Sequence, residues 1–148
     1  MFRGRFEHSI DGKGRTSLPS RFREILSARS EERLVVTQHI VDPCLVAYPV
    51  SEWEAFEQKV ARLPRFDANV QRLKRLFFSS AVECPIDRLG RVLIPVGLRE
   101  VARLSRDIVW VGMGESIELW SRDLWQSEFE QARKDPQQVV KALADLGL

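Results

Sequence analysis

The sequence predicts an α+β domain assembled from two similar halves that complete one core. Three observations predict it: the chain matches itself at an offset of 76 residues, short β-branched and aromatic runs are separated by glycine turns, and the segments between them carry apolar residues at helical spacing. The 148 residues fit a single domain, residues 1–148, on a scale of roughly 100 to 200 residues per domain.

The self-match pairs Phe2 with Phe78, Glu7 with Glu83, Ile10 with Ile86 and Asp11 with Asp87. It continues through Gly14/Gly90, Arg15/Arg91, Pro19/Pro95, Arg23/Arg99 and Glu24/Glu100, with Leu18/Ile94, Phe22/Leu98 and Ile25/Val101 as conservative pairs. Chance supplies about one or two identities in such a window, so the chain carries an internal duplication. After a four-residue gap, Tyr48 and Trp53 match Trp120 and Trp125 at an offset of 72. Two copies of this length do not make a solenoid, whose stability needs at least three stacked units; they predict halves related by a pseudo-twofold. The division is a first repeat over 1–60, a basic linker helix over 61–76, a second repeat over 77–126 and a C-terminal helical segment over 127–148.

The elements follow in order. Phe6–Ile10 and Ala81–Ile86 read as strands that run into the loops Asp11-Gly12-Lys13-Gly14 and Asp87-Arg88-Leu89-Gly90, and strands resume at Arg15 and Arg91. Glycine supplies the positive φ of a tight connection, and the leading aspartate accepts hydrogen bonds from loop amides. Pro19 and Pro95 end these strands, and helices follow from Ser20 and from Val96. Two more strands are predicted in each half, Leu34–Thr37 with Leu45–Tyr48 and Ile108–Val111 with Ile117–Trp120. A capping box, Ser51-x-x-Glu54, predicts the start of a helix with the apolar stripe Trp53, Phe56, Val60 and Leu63. A basic helix is expected from Asp67 to Leu76, and a last one from Asp135-Pro136, with Val139, Val140, Leu143 and Leu146 forming an apolar face.

The formal net charge of +2 hides an alternation. Residues 1–29 hold seven basic and three acidic side chains, and residues 30–60 hold two and six. Residues 61–83 and 84–106 each hold five and two, and residues 107–148 hold four and eight. Both glycine hairpins lie in or beside positive segments.

An Asp and an Arg four residues apart across a glycine hairpin, present twice, make a two-pronged basic reader. A guanidinium donates bidentately to guanine O6 and N7 or to a phosphate, the aspartate orients it, and the major groove admits a two-stranded ribbon. The same spacing also suits an ion pair that merely shapes the turn. The candidate DNA-binding residues are Arg15 and Arg91 with Asp11 and Asp87, followed by Lys13, Arg88, Arg3 and Arg5, with Arg21 as a further phosphate contact.

Enzyme and metal readings find no support. Gly12-Lys13-Gly14-Arg15-Thr16-Ser17 lacks both the earlier glycine and the hydroxyl residue directly after lysine that a phosphate-binding loop requires. His8 and His39 sit in no metal-ligand pattern, no nucleophile, base and acid can be grouped, and no cofactor is expected. Cys44 and Cys84 are far apart and read as buried thiols of a reducing cytoplasm. No long apolar stretch predicts a signal peptide or membrane span, so a cytoplasmic protein with no membrane or small-molecule partner is expected.

Met1-Phe2-Arg3-Gly4-Arg5, Asp11-x-x-Gly14-Arg15 and Asp87-x-x-Gly90-Arg91-x-x-Ile94-Pro95 resemble the MraZ family, and the likeness runs end to end through Tyr48-Pro49 and Trp120-Ser121. The resemblance implies a SpoVT/AbrB-like fold, a swapped-hairpin β-barrel within one chain with peripheral helices. It implies a nucleoid-associated transcriptional regulator, expected to be a repressor. Such a regulator binds direct repeats upstream of the division and cell-wall gene cluster that contains its own gene, as a ring-shaped homo-oligomer on double-stranded DNA. The family motif falls on Asp11 with Arg15 and Asp87 with Arg91. Thr16-Ser17-Leu18 is less apolar than Val92-Leu93-Ile94, which predicts unequal hairpins. A different class of reading is an antitoxin-like protein-interaction module of the same fold.

Overall fold

The computed structural model describes residues 1–148. The first half runs β1 (Arg5–Ser9), β2 (Arg15–Ser17), α1 (Ser20–Ala28), β3 (Arg33–Gln38), β4 (Leu45–Pro49) and α2 (Val50–Ala61). After α3 (Ala68–Leu73) and a π-helical turn (Lys74–Phe78), the same order returns as β5 (Val82–Pro85), β6 (Arg91–Leu93), α4 (Val96–Val101), β7 (Asp107–Gly112), β8 (Ile117–Ser121) and α5 (Arg122–Arg133). A last helix, α6 (Pro136–Asp145), follows.

Strand pairing interlocks the two halves. Six strands form one antiparallel sheet in the order β1-β7-β8-β4-β3-β5, and β2 pairs with β6 in a separate two-stranded ribbon. Strand β1 lies against β7, Arg5 opposite Val111 and Ser9 opposite Asp107, whereas β5 lies against β3, Arg33 opposite Pro85 and Val36 opposite Val82. Each hairpin therefore finds its strand partners in the opposite half. The six-stranded sheet ends at β1 and β5 and is open, whereas the resemblance implies a closed barrel. The chain leaves the sheet at the hairpins, and a single isolated bridge, Ile10 with Thr16, joins β1 to β2.

The central strands are apolar on both faces because both faces are covered, which a solvent-facing strand would show as alternation. Leu34 and Val36 of β3, Leu45 and Ala47 of β4, Ile108 and Trp110 of β7 and Ile117 and Leu119 of β8 turn one way. They pack on Ile10, Val92 and Ile94 of the hairpins and on Phe22, Leu26, Leu98 and Ala102 of α1 and α4. The opposite face is covered in two patches. Val35 packs under Trp53 and Phe77 with Tyr48 and Phe56 alongside, and Val109, Val111 and Trp120 pack under Leu124 and Trp125 of α5.

The helix starts differ from expectation at one place. Strand β4 runs straight into α2, Pro49 takes the N-cap position at φ −54°, and no side chain caps the helix. The Ser51 hydroxyl donates instead to Glu31 Oε1 at 2.5 Å, so the Ser51–Glu54 capping box does not form. Val60 is buried as expected, but Leu63 lies past the end of α2 and is exposed. The basic helix starts as expected, with Asp67 capping α3 through the amides of Asn69 and Val70, but its α-helical part ends at Leu73. The chain then widens into the π-helical turn, where Thr37 Oγ1 donates to the Phe77 carbonyl and Gln38 Nε2 to the Leu76 carbonyl, at 2.6 and 2.8 Å. Asp135 caps α6 by accepting from Gln138 N at 3.0 Å, with Pro136 at the first helical position.

Candidate nucleic-acid interface

The two hairpins have one construction. Gly14 N donates to the Asp11 carbonyl at 3.0 Å and Gly90 N to the Asp87 carbonyl at 2.9 Å, which closes each turn. Asp11 Oδ1 accepts from Lys13 N and Arg15 N, and Asp11 Oδ2 accepts from Arg15 Nε, all at 2.9 Å. Asp87 repeats the set with Leu89 N, Arg91 N and Arg91 Nε, also at 2.9 Å. The hydrogen bonds from the Arg15 and Arg91 amides, more than any other cause, hold both carboxyls below the usual carboxylate range. Both are anionic at neutral pH, so each fixes its arginine through Nε and leaves the two terminal nitrogens of the guanidinium as donors.

The ribbon aims both arginines the same way. Arg15 lies opposite Leu93, Thr16 opposite Val92 and Ser17 opposite Arg91. Side chains alternate along a strand, so the buried pair Thr16 and Val92 faces the core, and Arg15, Ser17, Arg91 and Leu93 share the outer face. Two registers and one strand separation put the Arg15 and Arg91 Cα atoms roughly 8 Å apart, from a rise of about 3.4 Å per residue and a strand spacing of about 4.8 Å. The four-residue spacing thus makes an ion pair within each hairpin, and the strand pairing turns two such pairs into one surface.

Each hairpin is seated on the other half. Gly14 and Gly90 have φ of +92° and +76° and are buried. Ile94 N donates to the Gly14 carbonyl at 2.8 Å and Leu18 N to the Gly90 carbonyl at 2.9 Å. Arg99, on α4, donates through Nε to the Ile94 carbonyl at 2.9 Å and through Nη1 to the Gly12 carbonyl at 3.5 Å, so it braces the first hairpin from the second half. Arg23, on α1, packs correspondingly against Gly90. The sequence-based candidates omit Arg23 and Arg99, although their pairing in the self-match was the available signal.

The secondary candidates separate. Lys13 and Arg88 are exposed in the two turns, beside Arg15 and Arg91, and Arg21 is exposed on α1. Arg3 and Arg5 belong to the far end of β1, where the N-terminal arm extends along the β7–β8 hairpin through Phe2 and Gly114. Six residues of extended chain put Arg5 roughly 20 Å from Asp11. Its guanidinium stacks on the Phe129 ring with 4.3 Å to the centroid. Arg3 and Arg5 are therefore not brought to the hairpins.

No group of three or more His, Cys, Asp or Glu side chains is placed to hold a metal ion, and no helix is long and apolar enough to cross a membrane. Burial pushes the Cys44 thiol up, aided by the Glu118 carboxylate, and pushes Cys84 up to about 11, so both are protonated, unreactive thiols at neutral pH.

A family model described as "MraZ protein, putative antitoxin-like" matches residues 1–76 and again residues 77–145. The chain belongs to the MraZ family. A transcriptional regulator MraZ of Pelotomaculum thermopropionicum is 44% identical over 148 residues, covering 100% of this chain and 99% of the relative. Transcriptional regulators MraZ of Desulfitobacterium hafniense and Heliobacterium modesticaldum are each 41% identical, with 100% of both chains covered. The MraZ relatives thus carry the name of regulators rather than enzymes over the full length of the chain.

Proposed function

We propose that this MraZ-family chain is a sequence-specific DNA-binding transcriptional regulator that reads DNA with the β2–β6 ribbon. One observation carries the reading: Arg15 and Arg91 leave the same exposed face of one ribbon, each held by an aspartate through Nε with its terminal nitrogens open. A fixed fork on a ribbon is what bidentate recognition of guanine in the major groove requires. Lys13 and Arg88 stand where they meet flanking phosphates. Arg15 is the principal reader and Arg91 the supporting one, because the first hairpin is the one braced by Arg99 hydrogen bonds.

The finer reading follows the family resemblance. The regulator represses the division and cell-wall gene cluster that contains its own gene, binds direct repeats upstream of it, and works in the cytoplasm as a nucleoid-associated ring of identical chains, with the sheet and ribbon together forming the swapped-hairpin barrel. An exposed apolar face supports self-association: no residue of α6 is buried, and Val139, Val140 and Leu146 are 48%, 67% and 83% exposed. A ring carrying several ribbons along successive repeats gains avidity that one pair of arginines lacks.

The test is a footprint on DNA upstream of the chain's own gene, followed by mobility-shift titration of Arg15→Ala. Protection over direct repeats is expected, with loss of specific binding in a variant that still melts cooperatively. Unchanged affinity of that variant overturns the assignment of Arg15.

A further inference from the structure

Two clefts flank the two hairpins, each lined by two arginines, and they differ in their carboxylates. The first, about 490 Å³, runs beside Asp11 and Gly12 and is walled by Arg99, Arg106, Ser9 and Ser105. The second, about 510 Å³, runs beside Asp87 and Arg88 and is walled by Arg23, Glu31 and Glu32. Two backbone hydrogen bonds identify their corresponding positions: Ile10 N donates to the Arg106 carbonyl and Ile86 N to the Glu32 carbonyl, each at 2.9 Å. Arg99 and Arg23 correspond in the same way, each packed on the glycine of the opposite hairpin. One wall position therefore holds arginine in the first cleft and glutamate in the second.

The first cleft has one carboxylate, Asp11, and it is already bonded to Arg15. Arg106 is exposed and makes no ion pair, and the Ser9 and Ser105 hydroxyls are neutral donors nearby. In the second cleft Glu31 and Glu32 add two carboxylates to Asp87, which Arg91 holds; Glu31 accepts from the Ser51 hydroxyl and amide, and Glu32 makes no ion pair.

We infer that the first cleft seats a DNA backbone phosphate through Arg106, with Arg99 on the same wall, and that Glu31 and Glu32 keep the backbone out of the corresponding wall position of the second cleft, leaving it only Arg88 at the turn. This rests on the DNA-binding reading above. A phosphate beside Arg106, in the cleft that Asp11 and Gly12 line, gives the first hairpin a backbone contact that the second, with Arg88 alone, lacks, so the first is held more firmly against the duplex. The chain then contacts DNA with a polarity, in spite of its two nearly identical hairpins. Because Arg106 and Glu32 are exposed, the effect is one of salt-dependent affinity.

The experiment is a fluorescence-anisotropy titration of the full chain with duplex DNA from upstream of its own gene, between about 50 and 200 mM salt, where the slope of log affinity against log salt reports phosphates neutralised. Arg106→Ala is expected to weaken binding several-fold and to flatten the slope by about 0.9 for each protomer on the duplex, and Arg106→Lys to retain the slope. Glu32→Arg is expected to tighten binding and steepen the slope. If Arg106→Ala leaves affinity and slope unchanged while Arg15→Ala abolishes binding, the phosphate seat is overturned and the DNA-reading hairpin stands. An unchanged slope in Glu32→Arg overturns the exclusion of the backbone from the second cleft. If the wild-type chain does not bind the duplex at any salt, the DNA-binding reading falls and the seat with it.

Discussion

Thr16 is buried at the centre of β2, opposite Val92, and its hydroxyl has no hydrogen-bond partner. A buried hydroxyl left unpaired loses its hydration with nothing in return, a cost of about 1 to 3 kcal/mol. Valine fits the same volume and is the residue found at the matching place in the second hairpin. Thr16→Val is therefore expected to stabilise the chain by about 1 kcal/mol, a rise of a few degrees in Tm, with no change in DNA affinity. A lower melting temperature would show that the hydroxyl is satisfied in solution. His8 gives a second prediction at this scale. Burial lowers its imidazole below the ordinary 6.5, so the unfolded chain takes up the proton first as pH falls. Stability is then fullest above 6.5 and declines as pH falls through it toward the native value, a slope that thermal melts should find reduced in His8→Gln. Asp11 and Asp87 act in a separate window: their contribution is complete above 3.8 and is lost as pH falls below it through their lowered native values.

The hairpin turn is where sequence spacing and structure agree most closely, because the bonds that close it and hold its arginine all lie within five consecutive residues. Its two glycines are not equivalent. A Cβ on Gly14 would lie 2.5 Å from the Ile94 carbonyl oxygen at a φ of +92°, whereas a Cβ on Gly12 meets nothing within 4 Å. Gly14→Ala is expected to cost at least about 2 kcal/mol in denaturant unfolding, and Gly12→Ala less than about 0.5 kcal/mol. Equal effects would contradict the seating of the first hairpin on the second half. Other elements were less legible. Ser51-x-x-Glu54 has the pattern of a cap, but Pro49 already fixes the backbone entry to α2 and Glu31, distant in sequence, attracts the serine. The π-helical turn at Lys74–Phe78 leaves no local signal, since its carbonyls are bonded by Thr37 and Gln38 of a remote strand. The contrast between Arg106 and Glu32 was hidden for a similar reason: the self-match slips by a few residues past α1 and α4, and only the strand hydrogen bonds restore the correspondence.

At the scale of the molecule, the duplication predicted two halves with one core, but not which strands would pair. Non-local partners leave little trace in a single sequence, and here every hairpin strand pairs across the halves. A fragment of residues 1–66 keeps β3 with β4 and loses the partners of β1 and β2. It is expected to be unfolded as a monomer, and any cooperative unfolding should appear only as concentration rises and two copies pair; sedimentation with circular dichroism at several concentrations checks this. Concentration-independent folding of the fragment would contradict the interlocked topology.

The same exchange of strands has a temporal side. Arg5 is synthesised about a hundred residues before Val111, its partner across the sheet. At roughly 5 to 20 residues per second, β1 emerges from the ribosome several seconds before β7 exists, and pairings so distant in sequence also close slowly. The unpaired amides and carbonyls of β1, and the Phe6 ring, thus wait without their partner strand while the rest of the chain is made, so in the cell nascent β1 needs shielding before the finished protein has any use for it.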